Sequence, residues 1–550
     1  MAKLRQRGIA LFLLIVITSL LLILLGAFFQ VNRDQLTLAG YSSQSEKANR
    51  ACASATEYCF FRLEHNKFWA RAAFDDDYTD GSVAPELEVR EIGGSHRVEG
   101  KLTDLDAEFR VVVTNNLSGS SESGGVPVSA CRLRITGTCG GVTQQREVLL
   151  RIAPLFDGAA VSSGGINIEA TGLKLTSEHP LRNQIRSKGD IHVPSANRLD
   201  FVPAVAQADK GVIWSQQDVT VGGQSVTNQS VMANAVSQTG GRFIPDAKTS
   251  YDIHDLKISE VGVDANTSVR SGLYLFSRVQ VEYEVGGITQ TASVKVMERR
   301  TRAIDDAGFS SGELQEFWYV SEPGGIPEGA RMAGTSVVGH PRDSTFWLVD
   351  NRVKVNLTED WMAVDEDAHL HVDGDFGVAS YQNDIIPQLV FGELVGGIGD
   401  GVAEENSGSI IVDGDLGVEG PIRGAGKLLA TGNVHLRPNW ASVTADEQAD
   451  LSIYAGKDIT IKPPYNWEAG TAVDRSLTFN GLLYAKDNVE IQTRTNQPLN
   501  IRGAVVARNG MINIHDASQV TLHYDQKYVD HIVRELPEDR IHLERALWKG

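Results

Sequence analysis

Between Ile9 and Phe29 the chain carries no charged side chain, and only Thr18, Ser19 and Gly26 interrupt a run of 21 otherwise apolar residues. At 1.5 Å rise per residue such a run makes a helix of roughly 31 Å, the thickness of a bilayer's hydrocarbon core. A core helix this long would carry a polar stripe, and none is visible. Lys3, Arg5 and Arg7 precede the run, while Asp34 and a strongly acidic body follow it. The positive-inside rule therefore keeps the short N-terminus cytoplasmic and exports the rest. The expectation is a single-pass inner-membrane protein whose body is periplasmic or displayed at the cell surface. A cleaved secretory signal would need a shorter apolar stretch and a small-x-small site, and Leu25-Gly-Ala-Phe-Phe29 is a poor one.

The remaining chain has a folding composition, 42% apolar and 22% charged, in 550 residues, which is too long for one compact core. Fifty-four glycines against 17 prolines fit a chain with many tight turns. Lys plus Arg number 51 against 70 Asp plus Glu, a net charge of −19 that repels phosphate and argues against nucleic acid as a partner.

Two segments read as hairpins with the same layout. Residues 132–151 and 278–297 each place alternating strands around a Gly-Gly turn with Thr-Gln on the return. A longer repeat says more about architecture. Gln184-Ile-Arg-Ser-Lys-Gly-Asp-Ile-His-Val193 and Val212-Ile-Trp-Ser-Gln-Gln-Asp-Val-Thr-Val221 share one form, with Ser187 and Ser215 28 residues apart. The form returns at Leu428–Leu436, Ile453–Ile461, Leu483–Ile491 and Val506–Ile514, where Ala430, Ala455, Ala485 and Ala507 are spaced by 25, 30 and 22 residues. Related rungs with Asp at the turn are expected at Trp347–Val355, Met362–Val372 and Ile411–Val418. Two short strands around a Gly, Asp or Asn corner at this period are what a coil of a parallel β-helix requires. The rival β-sandwich rarely repeats one corner motif so often.

After the apolar run, Leu36, Leu38, Tyr41, Ala48, Ala51, Ala55, Tyr58, Phe61 and Leu63 continue a helical face to about residue 70. At the other end, Tyr528, Ile532 and Val533 share a helical face before Pro537, and a terminal helix capping the solenoid is expected. The predicted fold class is mainly β: a long N-terminal transmembrane and stem α-helix, then β-hairpins, a parallel β-helix-like solenoid and a short C-terminal helix.

The Arg-Gln-Arg-Gly junction at residues 5–8, followed by Ile-Ala-Leu-Phe-Leu-Leu, resembles the class III leader of type IV pilins and type II secretion pseudopilins. The resemblance is closest to minor pilins of the PilX type and to pseudopilin K, and it covers residues 5 to about 60 together with the style of the C-terminal rungs. It implies that a prepilin peptidase cuts after Gly8, leaving Ile9 as the new N-terminus, and that the partners are other pilin-like subunits. Leu13 stands where major pilins carry a glutamate. Pseudopilin K also lacks that acid and occupies a fibre tip. An ordinary membrane anchor would lack it too, since a carboxylate in lipid is costly.

The expected domains are a leader at 1–8, a transmembrane and stem helix at 9–70, a first β-hairpin region at 75–158, and first β-helix rungs at 159–232. An inserted β-hairpin region follows at 233–335, then the main rungs at 336–525 and a C-terminal helix or tail at 526–550.

Cys52 and Cys59 are seven apart on the expected stem, about 10 Å along a helix, and cannot bond each other. Cys131 and Cys139 share a strand. In an exported chain the four are disulfide candidates, stem to hairpin, with buried free thiols as the alternative. Asp373-Gly-Asp375, Asp413-Gly-Asp415 and Asp365-Glu-Asp367 read as solvated turn residues, because no full Ca²⁺ loop with a later Glu appears. No metal or cofactor is expected. His369, His371, Asp373 and Asp375 are the residues a polysaccharide-active β-helix enzyme would use. No established hydrolase, metalloprotease, nucleotide or dinucleotide motif accompanies them.

The chain therefore reads as a non-enzymatic, minor pilin-like or pseudopilin-like structural subunit. The alternatives are a single-pass envelope β-helix protein that binds polysaccharide or surface partners, and the glycan-active enzyme.

Overall fold

The computed structural model describes residues 2–549 except 85–86, 118–123, 127–129, 153–155, 157, 178–182, 203–209, 249–252, 262–263, 302–303, 306–307, 310–311, 320–330, 333–344, 381–384, 386, 393–407, 439–448, 464–475, 495–496, 526–527 and 530–542. The fold is mainly β, with a long N-terminal helix, and divides into two compact units. One comprises Met1–Ala153 and Leu536–Gly550, the other Pro154–Glu535.

In the first unit, α1 runs unbroken from Ala2 to His65. It is followed by β1 (Tyr78–Ala84), β2 (Leu87–Ile92), β3 (Arg97–Leu102), β4 (Ala107–Asn116), β5 (Ala130–Cys139) and β6 (Val142–Ile152). These form an antiparallel sheet in chain order. The β5–β6 hairpin turns on Gly140 and Gly141, with φ of 55° and 84°, the left-handed pair a two-residue turn demands. Along β5 the odd positions Leu133 and Ile135 are buried while Arg134 is exposed, so the expected alternation builds the face that α1 covers.

The sheet has a seventh strand, Leu543–Lys549, which pairs antiparallel with β6. Here the expected C-terminal helix is corrected. A partly filled sheet edge offers a row of unsatisfied backbone groups, and pairing with it overrides the helical preference of a charged segment. Ile532, Val533 and Pro537 lie outside the described residues.

The second unit is a three-sided parallel solenoid. A typical coil runs through Leu499–Ala507, which turns a corner at Gly503 to give two faces, and Met511–Ala517, which gives the third; Val520–Tyr524 then stacks on Leu499–Arg502 as the first face of the next coil. A Cβ at Gly503 would meet the Gly481 carbonyl oxygen of the neighbouring coil at 2.0 Å, so only glycine fits this corner. Inside, side chains stack in columns. Leu416, Val434, Ile459, Val489, Ile512, Ile166, Ile191 and Val219 form one, each in register with the next and all fully buried.

The small-residue positions also form one ladder. Ala430, Ala455, Ala485, Ala507, Ser162, Ser187 and Ser215 pair consecutively across seven coils. The register joins the two repeat blocks directly, because Ala507 of the last coil pairs with Ser162 of the first. The order of coils along the axis is therefore a circular permutation of their order in the chain. The chain starts mid-solenoid at Ala160–Ser162 and winds to one end at Arg242–Ile244. It resumes at the opposite end with Thr267–Val269, then winds back to finish beside its starting coil.

The return segment is held against the coils. Tyr484 Oη accepts the Leu256 N–H at 3.1 Å and donates to the His254 carbonyl at 3.1 Å, and Tyr454 Oη donates to the Leu256 carbonyl at 3.2 Å. Asp255 pairs with Lys486 and Arg508, at 3.6 and 3.3 Å.

Both solenoid ends are closed by local chain. Helix α2 (Gln229–Thr239) packs beside the strand Arg242–Ile244, with Asn228 capping its N-terminus and Gly240 ending it in the left-handed region. At the other end, the hairpin Gly272–Val285/Ile288–Arg300 begins as a coil strand on Phe376–Ser380 and continues as antiparallel ribbon. The strands Thr345–Val349 and Val353–Asn356 extend another face antiparallel. Trp347–Val355 is thus an antiparallel hairpin, correcting the parallel rung expected there. Asp350 and Asn351 both adopt positive φ, 42° and 59°, and fold the chain straight back. The inserted region expected at 233–335 likewise contains solenoid strands, Arg242–Ile244 and Thr267–Val269, as well as the hairpin.

Candidate membrane stem and its docking onto the sheet

Helix α1 is long, about 95 Å at the standard rise, and its two halves differ in chemistry. Between Phe12 and Val31 the large apolar side chains are 45–71% exposed, and no part of the apolar window is buried. Each such side chain gains about 1.5–3 kcal/mol on leaving water. Thr18, one of two hydroxyl residues near the middle of the run, donates its hydroxyl to the Leu14 carbonyl, so that donor is not left bare. Among the described residues this is one helix long and apolar enough to cross a membrane. Gly8 and Ile9 lie in its first turns as continuous helical backbone. Leu13 is 55% exposed on the apolar stretch.

The second half is buried on one face. Ala48, Ala51, Cys52, Ala55, Thr56, Cys59 and Leu63 are wholly inaccessible and pack on β4, β5 and β6. Small side chains let the helix approach the sheet closely. A Cβ at Gly137 would lie 2.3 Å from the Ala48 carbonyl oxygen and 2.7 Å from Cys52 Sγ.

Near the end of the helix, a buried carboxylate fixes the contact. Glu91, 6% exposed on β2, accepts the Trp69 indole N–H at 2.8 Å and the Tyr58 hydroxyl at 3.3 Å, and pairs with Arg62 at 3.0 Å. Sequence reasoning passed over this cluster. The signal was present: Glu91 shares strand parity with Val89, which points both toward the core.

All four cysteines are buried thiols in the structure. Cys52 and Cys59 lie on one face of α1, and Cys131 and Cys139 on the helix-facing side of β5. Cys52 sits over Gly137, its thiol 3.8 Å from the Gln144 carbonyl, and Cys139 Sγ is 3.9 Å from the Leu105 carbonyl. Burial pushes the Cys59 thiol well above its ordinary value, and the neighbouring Cys131 thiol adds to the shift. All four thiols line the one core between α1 and the sheet.

The paired carboxylates of the solenoid do structural work at one corner. Asp375 Oδ1 accepts the Asp415 N–H at 2.8 Å, and Asp415 Oδ1 accepts the Asn433 N–H at 2.7 Å. Asn433, Asp458 and Asn488 continue the ladder to the N–H groups of Asp458, Asn488 and Met511. Among the described residues, no group of three or more His, Cys, Asp or Glu could hold a metal ion. His369 and His371 do project from one strand, but each meets the next coil: His369 Nδ1 lies 2.9 Å from Ser409 Oγ, and His371 Nε2 lies 2.8 Å from Asp413 Oδ2. Asp375 is held in the corner ladder, so the four residues do not converge on one point.

No family model matches the chain, and no curated protein matches it. Among solved structures it is similar to the competence-associated pilin ComZ from Thermus thermophilus, at 11% identity over 92% of this chain and 97% of that one. The TM-score is 0.26, too low for that likeness to support a conclusion about fold or role.

Proposed function

We propose that the chain is a pilin-like structural subunit, anchored in the inner membrane by the first half of α1 and carrying an exported β-rich body. One observation carries the reading: a single unbroken helix is bare and apolar where a bilayer or neighbouring stems would surround it, and buried on its own sheet where the body begins. The Arg-Gln-Arg-Gly junction before Ile9 supports removal of residues 1–7 and Gly8 by a prepilin peptidase. The lack of an acid at Leu13 supports a minor, tip-located subunit of the PilX or pseudopilin K kind. In assembly, the apolar half would leave lipid and pack against other stems, exchanging one apolar surrounding for another with little desolvation cost.

The role is non-catalytic in this reading, supported by the structural employment of Asp375 and the separate partners of His369 and His371. In an oxidising compartment, Cys59 and Cys131 are the pair we propose to join, by exchange with a thiol–disulfide oxidoreductase that takes up the two electrons.

A photo-crosslinker at Leu13 or Leu21 in the native membrane tests the reading. Adducts with other short-leader subunits are expected. Adducts with lipid alone would favour the plain anchored envelope protein.

A further inference from the structure

The three-stranded antiparallel extension at one solenoid end carries aromatic and charged side chains on a single face. Trp347 pairs with Lys354, Lys354 with Ala363, and Asn356 with Trp361. Parity therefore puts Trp347, Lys354 and Trp361 together. Val355 and Met362, of the opposite parity, belong to the solenoid core, and Phe346 packs against it.

Trp347 is 46% exposed, and it is the one aromatic side chain among the described residues of 154–535 that is largely open to solvent. Its indole N–H has no acceptor among the described residues. Lys354 Nζ stands 5.4 Å from the Trp347 ring centre and 5.8 Å from that of Trp361. Those ring contacts are its only partners among the described residues, although the body as a whole is strongly acidic.

The surroundings are rigidly placed. Glu359 Oε2 accepts the Trp361 indole N–H at 2.7 Å, and Asn356 Oδ1 accepts the N–H groups of Thr358 and Glu359 at 3.0 and 3.1 Å. Lys295, reaching over from the long hairpin, donates to the Thr358 carbonyl at 2.8 Å and contacts both Asp360 oxygens at 3.2 Å.

We infer that this face binds a glycan chain of uncharged pyranose units. A pyranose presents a C–H face that stacks on an exposed indole, and its hydroxyls are both donors and acceptors. Trp347 supplies a platform on the ring face away from Lys354, and a free N–H. Lys354 supplies an ammonium donor held over the rings, and Glu359 supplies a fixed carboxylate acceptor. The net charge of −19 on the chain opposes a polyanion, which selects neutral sugars over polyuronates. The inference goes beyond the proposed assembly role and stands or falls separately from it.

The test uses the full chain in detergent micelles, titrated with cellohexaose, xylohexaose, chitohexaose and polygalacturonate. At least one neutral oligosaccharide binds the wild-type protein. Trp347→Ala weakens it about tenfold or more, as loss of an aromatic anchor does at binding hot spots. Trp347→Tyr retains most of the binding, and Lys354→Met weakens it to a lesser degree. An unchanged Tm for each variant shows that the body is intact, as expected for an exposed Trp347 and a half-buried Lys354 whose ammonium has only ring contacts among the described residues. Binding of polygalacturonate alone, binding indifferent to Trp347→Ala, or no binding to any of the four would overturn the inference.

Discussion

Replacing Glu91 by Ala removes the common acceptor of the helix–sheet clamp. The Trp69 indole N–H would then lie buried without that acceptor, at about 1–3 kcal/mol, and the Tyr58 hydroxyl would lose its bond to the carboxylate, at about 1 kcal/mol. Arg62 is 29% exposed and can turn toward water, so loss of its ion pair adds about 0.5 kcal/mol. The lower bounds sum to roughly 2.5 kcal/mol, and some cavity relaxation around Trp69 brings the expectation to about 3 kcal/mol. Hydrogen–deuterium exchange over residues 44–69 reads this locally. Amides there that exchange by opening of the clamp should speed up by about 10²-fold, since each 1.4 kcal/mol is a factor of ten. Glu91→Gln keeps one acceptor oxygen and should lose about half as much. An exchange change below about threefold for Glu91→Ala, or equal losses for the two variants, would refute the clamp as the fixture of the stem.

Ala485→Leu inserts three carbons into the small-residue column of the solenoid, between Ala455 and Ala507. It should destabilise the second unit by about 1–3 kcal/mol in urea unfolding, whereas an exposed control such as Met511→Leu should not. Deleting residues 543–549 leaves the outer edge of β6 unpaired, and size-exclusion chromatography should show self-association of the truncated protein that the full chain lacks. Because burial raises the Cys52, Cys59 and Cys131 thiols, they should resist maleimide at pH 8 in the reduced, folded protein. In denaturant, two thiols should react if Cys59 and Cys131 are bonded and four if they are not.

The parts of the fold legible from sequence are those set by local rules repeated many times. The spacing of Ala430, Ala455, Ala485 and Ala507 marks one position of each coil, and those residues pair in register. The Gly-Gly hairpins and the long helix are equally local. What escaped depends on contacts remote in the chain. Ala507 pairs with Ser162 across more than three hundred residues, and nothing in either motif says which coil sits on which. The same blindness explains the terminal strand, whose conformation is set by the open edge of β6, and the Trp347 hairpin, where a two-residue Asp-Asn turn imitates a solenoid corner. Of the candidate site residues, the corner carboxylates were read as turn residues, but their accepting of N–H groups from the next coil needs the stacking order to be known.

N-terminal sequencing of the membrane-extracted protein, from cells with an active prepilin peptidase, bears most directly on the whole account. A mature chain beginning at Ile9 with the apolar helix still attached is the predicted result. A chain that begins beyond Phe29, so that the helix is gone, or one that still carries Met1 through Gly8, would contradict it.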